Sequence, residues 1–108
     1  MMNKEIDFIR EHIPTDELLC QLAGECNEMA HASLKYRRAL KGDNPTPVTV
    51  EQARKNLLEE IADVSLCLKA LGLDQSDREF CLEITRTANE KARRWAGRIR
   101  EKYESAER

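Results

Sequence analysis

The chain has 108 residues, rich in charge, poor in aromatics and sparse in Gly and Pro. That balance fits one modest domain of long amphipathic helices and excludes a sandwich or barrel of short strands. A formal net charge of −2 excludes the basic character expected of a protein that binds nucleic-acid polymers.

The first residues, Met1 to Glu11, mix acidic, basic and isolated apolar side chains. They lack the basic start and apolar stretch of a signal peptide, and no apolar run in the chain is long enough to cross a bilayer. The expectation is a soluble, cytoplasmic protein. A short helix is predicted from Asn3 to about Glu11, stopping before Pro14 because the residue ahead of a proline avoids the α region.

Thr15-Asp16-Glu17 opens a long helix with a capping hydroxyl and acids in the first turn. Leu18, Leu22, Cys26, Met29, Ser33 and Tyr36 recur at helical spacing along it, and Gly42 ends it after Lys41. Asp43 to Val48, with Pro45 and Pro47, is a loop. Thr49 and Gln52 form a capping box for a second long helix striped by Leu57, Ile61, Val64, Leu68 and Leu71, which Gly72 ends. Ser76 and Glu79 form another box, opening a third long helix striped by Phe80, Ile84, Ala88, Ala92, Trp95 and Ile99. The predicted fold is all-α: a helical bundle of three long helices and a short N-terminal one, as a single domain over 1–108.

Cys20, Cys26, Cys67 and Cys81 make no CxxC and no zinc-ligand spacing. They read as reduced thiols on or near the apolar stripes.

Chemistry concentrates in two acidic pairs. Glu25 and Glu28 lie three apart on the first long helix, and Glu60 and Asp63 lie three apart on the second. Such spacing puts both members of a pair on one helix face. Glu25 falls between Leu22 and Met29, and Glu60 between Leu57 and Val64, so both interrupt apolar stripes. Carboxylates crowded beside a core resist desolvation and repel one another. A hard divalent cation relieves that repulsion, and oxygen-only ligands suit Mg²⁺, with Mn²⁺ as the alternative. Glu59 beside the second pair reads as exposed.

Basic bands lie nearby in sequence. His31, Lys35, Arg37, Arg38 and Lys41 follow the first acidic pair without an intervening acid, and the third long helix carries Arg86, Lys91, Arg93, Arg94, Arg98, Arg100 and Lys102. These are either solvated faces or the cations that a triphosphate requires.

At these residues the sequence resembles the MazG-like, all-α nucleoside triphosphate pyrophosphohydrolases. The resemblance rests on Glu25-x-x-Glu28 within QLAGECNEMAHA, on Glu59-Glu60-x-x-Asp63 within LLEEIADVSLCL, and on Asn89 and Lys91 within ANEKARRW, and it spans about Leu18 to Trp95. It implies a bundle completed as a homodimer or homotetramer. It also implies Mg²⁺-dependent cleavage of a (deoxy)nucleoside triphosphate to monophosphate and pyrophosphate. Glu25, Glu28, Glu60 and Asp63 are then the metal-binding and catalytic acids, one of which orients the attacking water. Asn89, Lys91, Arg94 and Lys35 are then the substrate contacts. The stretch between the acidic pairs is long for the family, and the third motif is loosely spaced. Trp95 or Tyr36 could stack on a base, but both fall on apolar stripes and read as core.

Two other classes compete. A di-iron carboxylate bundle needs paired ExxH motifs; Glu28-Met29-Ala30-His31 supplies one, whereas Leu66 stands where Asp63 would need a second. A non-catalytic helical adaptor accounts for helices and charge but leaves acids inside apolar stripes unexplained.

Overall fold

A computed structural model describes residues 2–107. The described residues form four helices and no strand: α1 (Met2–His12), α2 (Thr15–Lys41), α3 (Val50–Ala70) and α4 (Arg78–Glu107). None is long and apolar enough to cross a membrane. The chain divides into two compact units, Met1–Gly72 and Leu73–Arg108.

In the first unit α2 and α3 pack as an antiparallel hairpin, with the start of α2 beside the end of α3. Burial along each helix follows a 4,3 repeat. On α2 the buried or half-buried positions are Leu18, Leu22, Glu25, Met29, Ala32, Tyr36 and Ala39. On α3 the matching run is Ala53, Leu57, Glu60, Val64 and Cys67, continued by Leu71 at the C-cap, while Leu68, Lys69 and Ala70 are covered as well in the last turn. Alternating steps of four and three keep one stripe facing the partner helix, the geometry of a two-stranded coiled coil. Ala32 and Ala53 are buried, and so small a side chain at the seam lets the two backbones approach closely.

The seam departs from the predicted stripe in places. Cys26, Ser33 and Ile61 are exposed, because each sits one position beyond a seam residue and turns about 100° away from the partner helix. Glu25, Ala32 and Glu60 take the inward places. Cys20 and Cys26 are exposed thiols, whereas Cys67 is buried and Cys81 half-buried; all four are free.

The helix ends confirm some local signals and replace others. Gly42 closes α2 in the left-handed region at φ 73°, its N–H donating to the Arg38 carbonyl at 3.0 Å. Gly72 follows α3 at φ 74°. Both conformations disfavour a side chain with a Cβ. Thr49 and Gln52 form the expected capping box, with reciprocal bonds of 3.0 and 3.1 Å. At α2, however, the cap position is Pro14, and Thr15 makes no capping bond. Its hydroxyl lies inside the first turn, and Leu18 N–H reaches the Pro14 carbonyl instead. At α4 the cap is Asp77, whose carboxylate accepts the Phe80 N–H at 3.0 Å, while Ser76 is engaged by Asp74. Asp77, one residue nearer the helix start, supplies the cap in place of the Ser76–Glu79 pair.

Short α1 is tied down by its last turns. Ile6 is buried and Ile9 half-buried. Arg10 donates from Nε to the Ala70 carbonyl at 2.9 Å and from Nη2 to the Lys69 carbonyl at 2.6 Å. These carbonyls lie in the last turn of α3, where a cation also complements the helix dipole. Replacing Arg10 with Met should therefore lower stability by about 1 kcal/mol, the scale of exposed charge-assisted hydrogen bonds. Urea unfolding of the two proteins measures this, and an unchanged midpoint would show that the clamp contributes nothing.

The second unit is the long helix α4 and its lead-in. Its apolar stripe is open: Trp95 is 64% exposed, and Ile84, Ile99 and Tyr103 are exposed as well. The core reading of Trp95 thus has no support within the single chain, where its indole is exposed.

Candidate metal centre

Glu25 and Glu60 occupy facing helices at seam positions, the places where a coiled coil normally puts apolar side chains. Antiparallel pairing brings Glu25 level with the Glu60–Asp63 turn. One carboxylate oxygen from each of Glu25, Glu60 and Asp63 lies within 4.8 Å of the others. Glu25 and Glu60 are half-buried, and Asp63 is exposed at the mouth of the cluster. Three carboxylates from two helices thus converge in space.

Glu28 is exposed and stands outside that set of three. It lies one position short of the seam residue Met29, which tilts it towards solvent. Its charge still reaches the cluster. Partial burial is the largest influence raising the Glu60 pKa above the ordinary carboxylate range, followed by the negative charges of Asp63, Glu25, Glu28 and Glu59. Glu59 is exposed, as its sequence position suggested. The neighbouring thiol of Cys67 is also held up, first by its burial and then by Glu25, Asp63 and Cys26.

Gln21 is a member of the site that the motifs did not single out. Its amide Nε2 donates to Glu25 Oε1 at 2.8 Å, fixing that carboxylate from one turn below. The signal in the sequence was the four-residue spacing of Gln21 and Glu25 on a helix face.

A cavity of about 480 Å³ adjoins the acids within the first unit. Ile9, Ile13, Leu18, Leu66 and Ala70 form its apolar walls, and Glu25 and Asp63 belong to both cavity and carboxylate cluster. α1 therefore does more than shield the seam: its Ile9 and the following Ile13 complete a pocket that periodicity on the long helices could not reveal.

The remaining predicted contacts fall in both units. Lys35 is exposed on α2, about two turns beyond Glu28. Asn89, Lys91 and Arg94 are exposed on α4, in the second unit, where Lys91 and Arg94 share a shallow surface hollow with Trp95 and Arg98. Tyr36 is half-buried at the hairpin seam, as its stripe predicted. His31 is exposed and takes no part in the carboxylate set, so the ExxH reading gains no second ligand type.

Comparisons with protein-family models, with curated proteins and with solved structures find no match to this chain.

An all-oxygen donor set from three mutually repelling carboxylates fits a hard divalent ion such as Mg²⁺ or Mn²⁺. Without an ion, the raised Glu60 pKa means that the folded state binds a proton more tightly than the unfolded chain does. The repulsion is thus present above the folded-state pKa and is relieved as pH falls through it towards the ordinary carboxylate value. In chelator at neutral pH, Glu60→Gln should raise the melting temperature relative to wild type, and the gap should close below about pH 4, where both proteins are uncharged at this position. Added Mg²⁺ should raise the wild-type melting temperature and have less effect on Glu60→Gln. A Glu60→Gln protein that melts below wild type in chelator at pH 7 would contradict the strain assigned to this cluster.

Proposed function

We propose that this protein is a Mg²⁺-dependent nucleotide pyrophosphohydrolase of the MazG-like type, cleaving (deoxy)nucleoside triphosphates to monophosphate and pyrophosphate. The observation that carries this reading is the convergence of Glu25, Glu60 and Asp63 within 4.8 Å, with Glu25 and Asp63 also lining a mainly apolar cavity. The two acidic motifs of the resemblance thereby meet across the α2–α3 hairpin.

In this reading Glu25, Glu60 and Asp63 hold the ion, with Glu28 at the rim. A bound Mg²⁺ supplies charge neutralisation on the phosphate oxygens and a template for their orientation. Gln21 keeps Glu25 pointed at the cluster through its 2.8 Å bond. One of the four acids orients a water for in-line attack at the α-phosphorus; the bond to the α,β-bridging oxygen breaks, and pyrophosphate leaves. Phosphoryl chemistry of this kind needs placement and charge compensation more than covalent participation by the protein. Lys35, Lys91, Arg94 and Asn89 are the proposed substrate contacts, supplying donors to phosphate oxygens.

Incubation with each dNTP and Mg²⁺, followed by assay of pyrophosphate, tests the activity. Wild type should release pyrophosphate, and Glu60→Gln or Asp63→Asn should lower the rate by about a hundredfold or more, as expected for loss of a metal-holding acid. Chelator should abolish turnover. Failure to release pyrophosphate from any nucleotide would remove the hydrolase reading and favour a helical adaptor.

Assembly as a homodimer or homotetramer, and a place in the cytoplasm, belong to the same proposal. Its support is the apolar surface left open on the hairpin. Leu19, Leu40, Leu58 and Ile61 are exposed one position beyond seam residues, and in an antiparallel pair those positions fall on the same side. A second copy covers such a surface through a self-complementary contact. Light scattering at micromolar concentration should give at least twice the 12.5 kDa chain mass. A monomer would refute the assembly.

A further inference from the structure

The middle of α4 is at once basic and amphipathic. From Arg86 to Lys102 it carries seven basic side chains and two acidic ones, although the chain as a whole is slightly acidic. At a turn of about 100° per residue, Ile84, Ala88, Ala92, Ile99 and Tyr103 fall within about 80° of Trp95 and form one apolar stripe. Lys91, Arg94, Arg98 and Lys102 follow one border of that stripe, and Arg93 and Arg100 lie beyond the other. Glu90, Glu101 and Glu104 lie about 120–180° from Trp95, on the opposite face. The side chains agree with this wheel, since Lys91, Arg94 and Arg98 share one surface hollow with Trp95. Within the single chain Ile84, Trp95, Ile99 and Tyr103 are all exposed.

We propose that α4 docks on an anionic phospholipid surface, lying flat with Trp95, Ile99 and Tyr103 at the headgroup boundary. The contact is lateral, because no described helix is long and apolar enough to cross a membrane. It is independent of the carboxylate cluster and of the nucleotide reading, which concern the other unit.

Charge decides the occupant. A second α4 packed stripe to stripe would set the cation row against its own copy in an antiparallel pair. In a parallel pair the row would meet Arg93 and Arg100 instead. Neither arrangement offers it an acid, and like charges brought together oppose association. An anionic lipid surface answers the cations on both borders together. Lys and Arg stems lie along the apolar boundary while their charged heads reach the lipid phosphates. Trp and Tyr suit the same boundary, each having an apolar body and one polar group that keeps a partner.

The chain holds a single tryptophan, so its fluorescence reports on Trp95 alone. The full-length protein is titrated with phosphatidylcholine vesicles made with and without phosphatidylserine. Vesicles containing phosphatidylserine should shift the emission to the blue and bind at least about tenfold more tightly than phosphatidylcholine alone. Added salt should weaken that binding by screening the surface charge. Reversing two border charges with Arg98→Glu and Lys102→Glu should lower binding by about tenfold or more. Ile99→Ser should reduce binding to both kinds of vesicle, with helix content checked by circular dichroism in each variant. An emission that does not move, equal binding to both vesicles, or binding unchanged by the charge reversal overturns the proposal. Emission already blue without lipid and unmoved by it shows the stripe covered by another copy, and overturns it too. A response to a single-stranded oligonucleotide with none to vesicles does the same.

Discussion

Electrostatic repulsion among carboxylates held at the seam of a two-helix hairpin is the constraint around which the first unit is organised. A 4,3 repeat normally reserves those positions for apolar residues, and Leu18, Leu22, Met29, Leu57 and Val64 obey it. Glu25 and Glu60 do not. Because the helices run antiparallel, the two exceptions come level with each other, and Asp63 adds a third negative group within 4.8 Å. The consequence appears as the raised Glu60 pKa, driven first by partial burial and then by its acidic neighbours. A chain that needed only stability would place leucine at both sites.

The rest of the unit is arranged to hold those acids in place. Ala32 and Ala53 let α2 and α3 approach closely on the far side of the cluster, and Gln21 fixes the Glu25 carboxylate from within the same helix. Arg10 anchors α1 to the last carbonyls of α3, which sets Ile9 and Ile13 in the wall of the cavity. Glu25 and Asp63 line the same cavity as these isoleucines.

Much of the helix plan was legible locally. The Thr49–Gln52 box and the Gly42 cap depend only on residues within a turn of each other, and both form as read. The capping choices at Pro14 and Asp77 were less legible, because two nearby candidates competed and the exact helix start decides between them. The role of Trp95 could not be read from its stripe. Periodicity shows which residues share a face but not what covers that face, and within the single chain the indole on α4 is exposed. Cys26, Ser33 and Ile61 show the same limit at finer scale, since one residue of register separates a seam position from an open flank.

By itself the sequence determined that the described chain is helical, where its long helices end, and that acids sit in the wrong places for a plain core. Those properties follow from short-range rules of spacing, capping and φ preference. Tertiary structure alone decided which acids meet, because proximity between α2 and α3 depends on hairpin direction and register rather than on spacing along either helix. It brought Glu25, Glu60 and Asp63 together, left Glu28 at the margin, and recruited Gln21, Ile9 and Ile13 to the site. Such contacts join residues distant in sequence, and only the packing of side chains across helices can select them.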